Sequence, residues 1–128
     1  MAKESSLKNV ASERAVLAGI IQHGLDCFVD VEILIDEESF TLDHNKILFK
    51  CLVDAISKND SIGFTEILSS AKGLDLNEYV EKPDVMKHVN GVINTPVHLE
   101  NVRSHAEKIR RLQFARNIQN ELRDIYRG

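Results

Sequence analysis

The side chains best suited to chemistry in this chain are five histidines and two cysteines, and their spacing does not favour a catalytic or metal site. His98 and His105 are two helical turns apart, too far for both rings to bind one ion without further ligands. His44 follows Asp43, and we expect its ring to hydrogen-bond the preceding turn and order the start of a helix, with acid or base catalysis as the lesser alternative. No P-loop, GxGxxG, GxSxG or HExxH pattern occurs. The sequence therefore predicts no catalytic, cofactor-binding or metal site.

The two cysteines, Cys27 and Cys51, lie inside apolar segments and have no short spacing between them. Such residues are typically buried free thiols in a reducing compartment. The N-terminus has neither an apolar signal core nor an Arg-rich transit pattern, and no apolar run reaches the ~18 residues that a membrane span needs. We therefore expect a cytoplasmic protein without membrane contact.

Size and charge restrict the class of protein further. A chain of 128 residues is long enough for one domain with its own hydrophobic core. Residues 1–99 hold nine Lys and Arg against sixteen Asp and Glu, a balance of −7, whereas residues 100–128 hold seven against four, a balance of +3. Because nucleic-acid binding depends on neutralising phosphates, the acidic part argues against direct DNA binding there.

Apolar periodicity predicts that helices position these side chains. The most apolar stretch, residues 38–56, has apolar residues in pairs one turn apart, and we interpret it as a central helix enclosed by its neighbours. Asp43 near its start is expected to accept hydrogen bonds from free backbone amides. The residues that we expect in the core are Leu17, Phe40, His44, Ile47, Phe49 and Leu52.

Shorter segments surround this central helix. Asn9 is predicted to cap a helix that ends near Gly24. Residues 25–35 are ambiguous, because their apolar residues fit both the alternation of a strand and one face of a helix. A short helix after the central one is predicted to be closed by Gly73, and Pro83 suits the first turn of the helix that follows.

The last element is the longest. Apolar residues recur every three or four positions from Leu99 onward without a breaker, which predicts a helix of roughly 40 Å. Thr95 is expected to cap this helix and Pro96 to be its first helical residue. The preceding part of the chain is only about 25 to 35 Å across, so the helix should project beyond it, and either a following helix or another copy of the molecule should cover its outer end. The residues expected in that contact are Leu112, Phe114, Ile118, Leu122 and Ile125.

The predicted organisation is all-α. Residues 1–8 form a polar lead-in, residues 9–97 a compact multi-helix head, and residues 98–128 a long protruding C-terminal helix. The arginines of the last helix are spread around it and interleaved with acidic residues, which favours a solvated, ion-paired surface over a phosphate-binding track. These arginines are Arg103, Arg110, Arg111, Arg116, Arg123 and Arg127.

Three short patterns follow one another along residues 9–126. The first helix carries Glu13, Ala15, Val16, Leu17 and Gly19; the central helix carries Phe40, His44, Ile47 and Phe49; and Asn94, Thr95 and Pro96 precede Ala106, Ile109 and Arg116. In this order they resemble the N-terminal domain of replicative hexameric DNA helicases of the DnaB type. That family opens with Ala-Glu-x-Ala-Val-Leu-Gly and continues with an Asp-Phe-x-x-x-x-His-x-x-Ile-Phe signature.

The chain also departs from the family pattern. The family's Ile-Asp-x-x-Thr segment reads Ile62-Gly63-Phe64-Thr65 here, without the acid, and His105 stands where the long helix of the family has a tyrosine. One residue is inserted after Pro96 relative to the family. These departures are typical of a divergent member, such as a phage-encoded one.

The resemblance implies a helix over residues 25–35 and a collar domain. In this family the helical head and the hairpin that begins with the long helix assemble subunits into a dimer or hexamer, and the same surface contacts the primase and, in some systems, the helicase loader. ATP and Mg belong to a separate motor domain, so the resemblance implies no enzyme activity and no cofactor for these residues. The alternatives are the helicase-binding domain of a primase, which has a similar architecture, and a helical nucleic-acid-binding module.

Overall fold

The fold is that of a computed structural model, which describes residues 7–127. Within these residues the chain forms seven α-helices, one 3-10 turn and no strand, so the predicted all-α class is confirmed. The elements are α1 (Val10–His23), α2 (Leu25–Val31), the 3-10 turn (Glu37–Ser39), α3 (Asp43–Ile56), α4 (Phe64–Gly73), α5 (Asn77–Val80), α6 (Pro83–Ile93) and α7 (Leu99–Arg127). None of these helices is both long and apolar enough to cross a membrane.

Helix α1 is the most enclosed helix of the head, which we define as residues 9–97. It contacts α2, α3, α6 and α7, and nine of its fourteen residues are buried. The expectation that the helix of residues 38–56 is enclosed on all sides is wrong, because Lys50 and Val53 of α3 are exposed. The small residues of α1 explain its central position, since they let neighbouring helices approach closely.

The closest approach joins α1 to α7 at Gly19. A Cβ at this position would overlap Cγ2 of Val102 and lie 3.0 Å from its Cγ1. Val102 is 1% exposed and β-branched, so its side chain has little freedom to move aside. Only glycine therefore permits the observed separation of the two helices.

The ends of α1 follow the sequence prediction. The side chain of Asn9 accepts a hydrogen bond of 2.9 Å from the backbone N–H of Ser12, which satisfies one free amide of the first turn. The helix ends at Gly24, whose φ of 67° lies in the left-handed region that glycine adopts without strain. Helix α2 starts immediately after this bend.

Residues 25–31 form a helix and residues 32–34 a turn, so the predicted helix over residues 25–35 is confirmed for its first seven residues and wrong for the last four. Cys27 and Val31, four residues apart, are both fully buried and attach α2 to the core. Tertiary contacts select the helix over the strand, because α2 packs on α1 and α7 and no strand lies among residues 7–127 with which this segment could pair.

The start of α3 differs from the expectation. Helix α3 begins at Asp43 and is preceded by Leu42, and no side chain caps it. The expected capping by Asp43 is wrong because this residue is already inside the helix, where its carboxylate instead complements the helix dipole. Phe40 just before it is fully buried, with its ring centroid 5.0 Å from that of Phe49.

Of the two helix ends predicted from Gly73 and Pro83, the first is wrong and the second is confirmed. Gly73 lies inside α4, and the left-handed residue that follows the helix is Asp75, with φ 61°. Pro83 is the first residue of α6, as predicted.

The long helix α7 begins at Leu99 instead of Pro96. Thr95 donates its hydroxyl hydrogen to the carbonyl of Gly91 at 2.7 Å and accepts one from Nε of Arg14 at 2.9 Å. It therefore closes α6 and ties this turn to α1, which leaves α7 to start three residues after Pro96.

Candidate protein-contact surface

The first half of α7 is part of the hydrophobic core. Val102, Ala106 and Ile109 are at most 1% exposed and face α1 and α2. They recur every three or four residues and so define the side of α7 that is turned toward the head. The positions of the other α7 residues are given as angles around the helix axis from this buried side.

Two polar side chains hold the middle of α7 to the head. Oε1 of Gln113 accepts a hydrogen bond of 2.8 Å from the hydroxyl of Ser39. Arg116 donates from Nη1 to the carbonyl of Leu7 at 2.7 Å and from Nη2 to the carbonyl of Glu38 at 3.2 Å. Both contacts reach backbone or hydroxyl groups that other elements have already positioned, so α7 is fixed in direction as far as Arg116.

An apolar stripe occupies the opposite side of the second half of α7. At about 100° per residue, its members fall within ~80° of one another and about 150° from the buried side. The apolar stripe comprises Phe114 (65% exposed), Ile118 (42%), Leu122 (52%) and Ile125 (72%). Because it faces away from the head, the head of the same chain cannot cover it.

Leu112, the remaining residue predicted for this contact, lies elsewhere. It is half-buried and sits roughly 120° around the helix from the apolar stripe. The structure therefore brings four of the five predicted residues onto one surface and leaves Leu112 at the side of α7.

Charged residues border the apolar stripe at both ends: Arg110 and Arg111 lie at its inner end, and the exposed Glu121 lies among Ile118, Leu122 and Ile125. Arg110 and Arg111 are exposed next to Phe114 and form no ion pair within residues 7–127. Arg103, two turns before Arg110 in the helix, is neutralised, since it lies 3.2 Å from Asp30 and 3.6 Å from Glu107. The surface around the stripe is thus basic where it adjoins the head.

A buried polar network orients the elements under this surface. Glu13 of α1 is 1% exposed, and its Oε2 accepts from the backbone N–H (3.0 Å) and the hydroxyl (2.6 Å) of Thr41. Its Oε1 accepts from Nδ2 of Asn45 at 3.0 Å, and Oδ1 of Asn45 lies 2.6 Å from Nε2 of His88. The network joins α1, α3 and α6, and it explains why a glutamate is tolerated inside the core.

His44 packs beside this network at the edge of the core, with its ring centroid 5.5 Å from that of His88. Its Nδ1 lies 2.5 Å from the hydroxyl of Tyr79 and its Nε2 3.5 Å from Asp84. The expected hydrogen bond to the preceding turn is wrong, because the ring points to α5 and α6. Its side chain is 32% exposed, so His44 is not a fully buried core residue.

The other predicted core residues lie as follows. Leu17, Phe40, Phe49 and Leu52 are buried, and Ile47 is half-buried and packs against the core.

Two titratable groups near His44 have shifted pKa values. Burial and nearby carboxylates raise the pKa of Tyr79, and burial, then His44 and Arg14, lower the pKa of His88. Both shifts follow from the burial of these side chains and from their charged neighbours.

The two thiols are unsuited to nucleophilic chemistry. Cys27 and Cys51 are buried and free, and burial, assisted by nearby Asp30 and Asp54, raises the pKa of each to about 11. Protonated thiols are poor nucleophiles. In the part of the chain between Leu7 and Arg127 no group of three His, Cys, Asp or Glu side chains is arranged to hold a metal ion.

The sequence prediction missed a second exposed apolar surface. Leu25 (55% exposed), Val29 (56%) and Ile33 (74%) lie on α2 and the turn after it; we call them the α2 patch. Their spacing of four residues predicts that they share one face of a helix. Because the segment was ambiguous, the same spacing was equally consistent with burial of that face. Only the packing of Cys27 and Val31 shows which side of α2 faces outward.

Comparison with known proteins gives one match. A family model described as DnaB-like helicase N terminal domain matches residues 5–111. No curated protein and no solved structure matches the chain. The matched region includes the head and the packed half of α7 and stops three residues before the apolar stripe begins.

Proposed function

The chain belongs to the DnaB-like helicase N-terminal domain family, and from this premise we propose that it is an assembly domain, in which the apolar stripe of α7 binds a second copy of the chain. In a helicase such a domain forms the collar that holds the subunits together. The head provides the rigid base, and α7 presents the contact surface.

The apolar stripe is the observation that carries this proposal. Phe114, Ile118, Leu122 and Ile125 form one continuous exposed surface on the side of α7 opposite the head. Burying the exposed fractions of these four side chains, which range from 42% to 72%, yields roughly 3 to 7 kcal/mol before the costs of association are subtracted. A weak dimer is therefore expected from this chain, and larger assemblies require further contacts.

We extend the proposal to partners and chemistry. A primase, and in some systems a helicase loader, is the class of partner for this surface, and the support is the family membership together with the unpartnered stripe. No enzyme activity and no cofactor is assigned to these residues, and the ATP and Mg of a helicase are placed in a motor domain. The buried thiols are compatible with the reducing conditions of the cytoplasm, where we place these contacts.

Sedimentation velocity over a range of concentrations tests the stripe. The wild-type chain should show a sedimentation coefficient that rises with concentration, whereas Leu122→Asp should remain monomeric, because association would bury an unpaired carboxylate. Leu122 is 52% exposed, so the thermal unfolding of the head should not change.

Asn117→Asp is the matched control. It adds the same charge on a neighbouring turn, at an exposed position outside the apolar stripe. It should associate as the wild type does. If the wild-type chain stays monomeric at the highest concentration, or if Leu122→Asp associates like Asn117→Asp, the proposed role of the stripe is wrong.

A further inference from the structure

The α2 patch is an exposed apolar surface that the proposed assembly through α7 leaves unused. Leu25 and Val29 lie one turn apart on α2, and Ile33 lies in the turn that follows. All three are more than half exposed, while Cys27 and Val31 of the same segment are fully buried. The segment therefore has one side in the core and an apolar side in solvent.

Two carboxylates flank the α2 patch, one on each side. At about 100° per residue, Asp26 lies ~60° beyond Val29 around the helix. Glu32, whose backbone is still helical, lies ~20° on the other side of Leu25. Both carboxylates are exposed and form no ion pair within residues 7–127. The patch is thus an apolar strip between two free negative charges.

The surrounding sequence does not supply cations to these charges. Between Arg14 and Lys46 the chain holds seven Asp and Glu and no Lys or Arg. Arg103 of α7 does reach this edge of α2, but it lies 3.2 Å from Asp30 and is paired there. The two flanking carboxylates therefore remain available to a partner.

The negative charge restricts the class of partner. Repulsion between like charges disfavours a nucleic acid, an anionic membrane and the α2 patch of a second copy. The apolar stripe of α7 from a second copy is disfavoured as well, because the exposed Glu121 lies among Ile118, Leu122 and Ile125. These charges favour a basic partner from a different protein.

We infer that the α2 patch binds an amphipathic helix of another protein, with the apolar face of that helix on Leu25, Val29 and Ile33 and its lysines or arginines facing Asp26 and Glu32. Helices that dock in this way present apolar residues one turn apart, the spacing that an apolar strip about 12 Å long accepts. Because a carboxylate stands on each side of the strip, the partner helix needs basic residues on both edges of its apolar face. The inference does not depend on the proposed role of the apolar stripe.

The contact is small. Three side chains on this chain bury less than the ~1,200 Å² at the lower limit of standard interfaces, so the interaction is weak and transient. Ion pairs at the rim of an interface add little affinity each and are screened by salt. Binding should therefore require the apolar residues and weaken as the ionic strength rises.

Two synthetic helical peptides provide the probe. Both carry leucines one turn apart on an alanine-rich helix; the first has lysines on both sides of the leucines, and the second has glutamates at the same positions. Each peptide is titrated into the nitrogen-15-labelled chain, and amide chemical shifts report both the affinity and the site. We expect the lysine peptide to shift the amides of residues 25–33 and the glutamate peptide to leave them unchanged.

Variants of the chain separate the apolar contribution from the charge. Val29→Asp should weaken binding of the lysine peptide at least about tenfold. The double variant Asp26→Asn/Glu32→Gln keeps the apolar strip, and it should weaken binding about threefold or more and remove most of the salt dependence. Val53→Asp is the matched control for Val29→Asp, since it makes the same change at an exposed valine of α3, and it should bind as the wild type does.

Three results would overturn the inference. The first is a lysine peptide that leaves residues 25–33 unshifted, including one that shifts α7 instead. The second is equal binding of the two peptides, or a double variant that binds as tightly as the wild type, because charge would then not select the partner. The third is equal weakening by Val29→Asp and Val53→Asp. All the changed residues are exposed, so the fold should be retained, as circular dichroism will verify, and the double variant tests the inference even if Val29→Asp fails to fold.

Discussion

Removal of the Glu13 carboxylate is the most direct test of how the head is held together. Glu13→Ala deletes the acceptor of three hydrogen bonds, of 3.0 Å and 2.6 Å from Thr41 and 3.0 Å from Asn45. Glu13 is 1% and Asn45 0% exposed, so the Asn45 amide would lose its partner out of reach of water, whereas Thr41 is only half-buried and solvent can replace part of its contact. A buried unsatisfied group costs about 1–3 kcal/mol, and with the weakened Thr41 contacts the total should reach roughly 2–4 kcal/mol.

A loss of this size is a large fraction of the stability of a small domain, which is about 5–15 kcal/mol. We therefore expect Glu13→Ala to unfold at a clearly lower urea concentration than the wild type. Glu13→Gln keeps one acceptor oxygen and the side-chain volume but turns an amide NH2 toward existing donors. It should cost about 1–3 kcal/mol.

Urea denaturation followed by far-UV circular dichroism measures both changes, with m-values checked for two-state behaviour. Glu32→Ala is the control, because Glu32 is exposed and should change the unfolding free energy by less than about 0.5 kcal/mol. A loss below about 1 kcal/mol in Glu13→Ala would contradict the reasoning, because water or relaxed side chains would then replace the carboxylate.

Two further predictions concern the core. Gly19→Ala should destabilise the fold by about 1–3 kcal/mol, since the new methyl group overlaps Val102. In thermal unfolding, the double variant Gly19→Ala/Val102→Ala should recover part of this loss. If Gly19→Ala alone is as stable as the wild type, the tight packing of α1 on α7 is contradicted. For His88, burial first, then His44 and Arg14, hold the pKa below its ordinary 6.5. The unfolded chain therefore binds a proton more readily, and the unfolding free energy should fall as the pH drops through about 6.5. Urea unfolding at about pH 7.5 and about pH 5.5 should show a smaller fall in His88→Gln; an equal fall would assign the effect to other groups.

The periodic apolar pattern was enough to predict most of the helices, though not α2, and several of their ends. The long run from Leu99 has no breaker, so α7 follows from local sequence alone. Asn9 and Pro83 act through groups within a few residues along the chain, and the structure places both where the sequence predicted. The exposed position of Leu122 and Ile125 was likewise expected from the length of α7 relative to the head.

Contacts between distant parts of the chain decided the rest. Residues 25–31 are helical because Cys27 and Val31 both reach the core formed by α1 and α7. Thr95 closes α6 because Arg14, 81 residues away, binds its hydroxyl. Local periodicity contains no information on either partner.

The sequence by itself predicted an all-helical fold with a long last helix, and it carried the patterns that resemble the DnaB-like helicase family. Tertiary structure alone decided that α1 is the central helix, that Glu13 is buried with its three donors, and that the α2 patch faces solvent. The physical reason is that helix formation depends on neighbours one turn apart, whereas burial depends on which faces meet across the core.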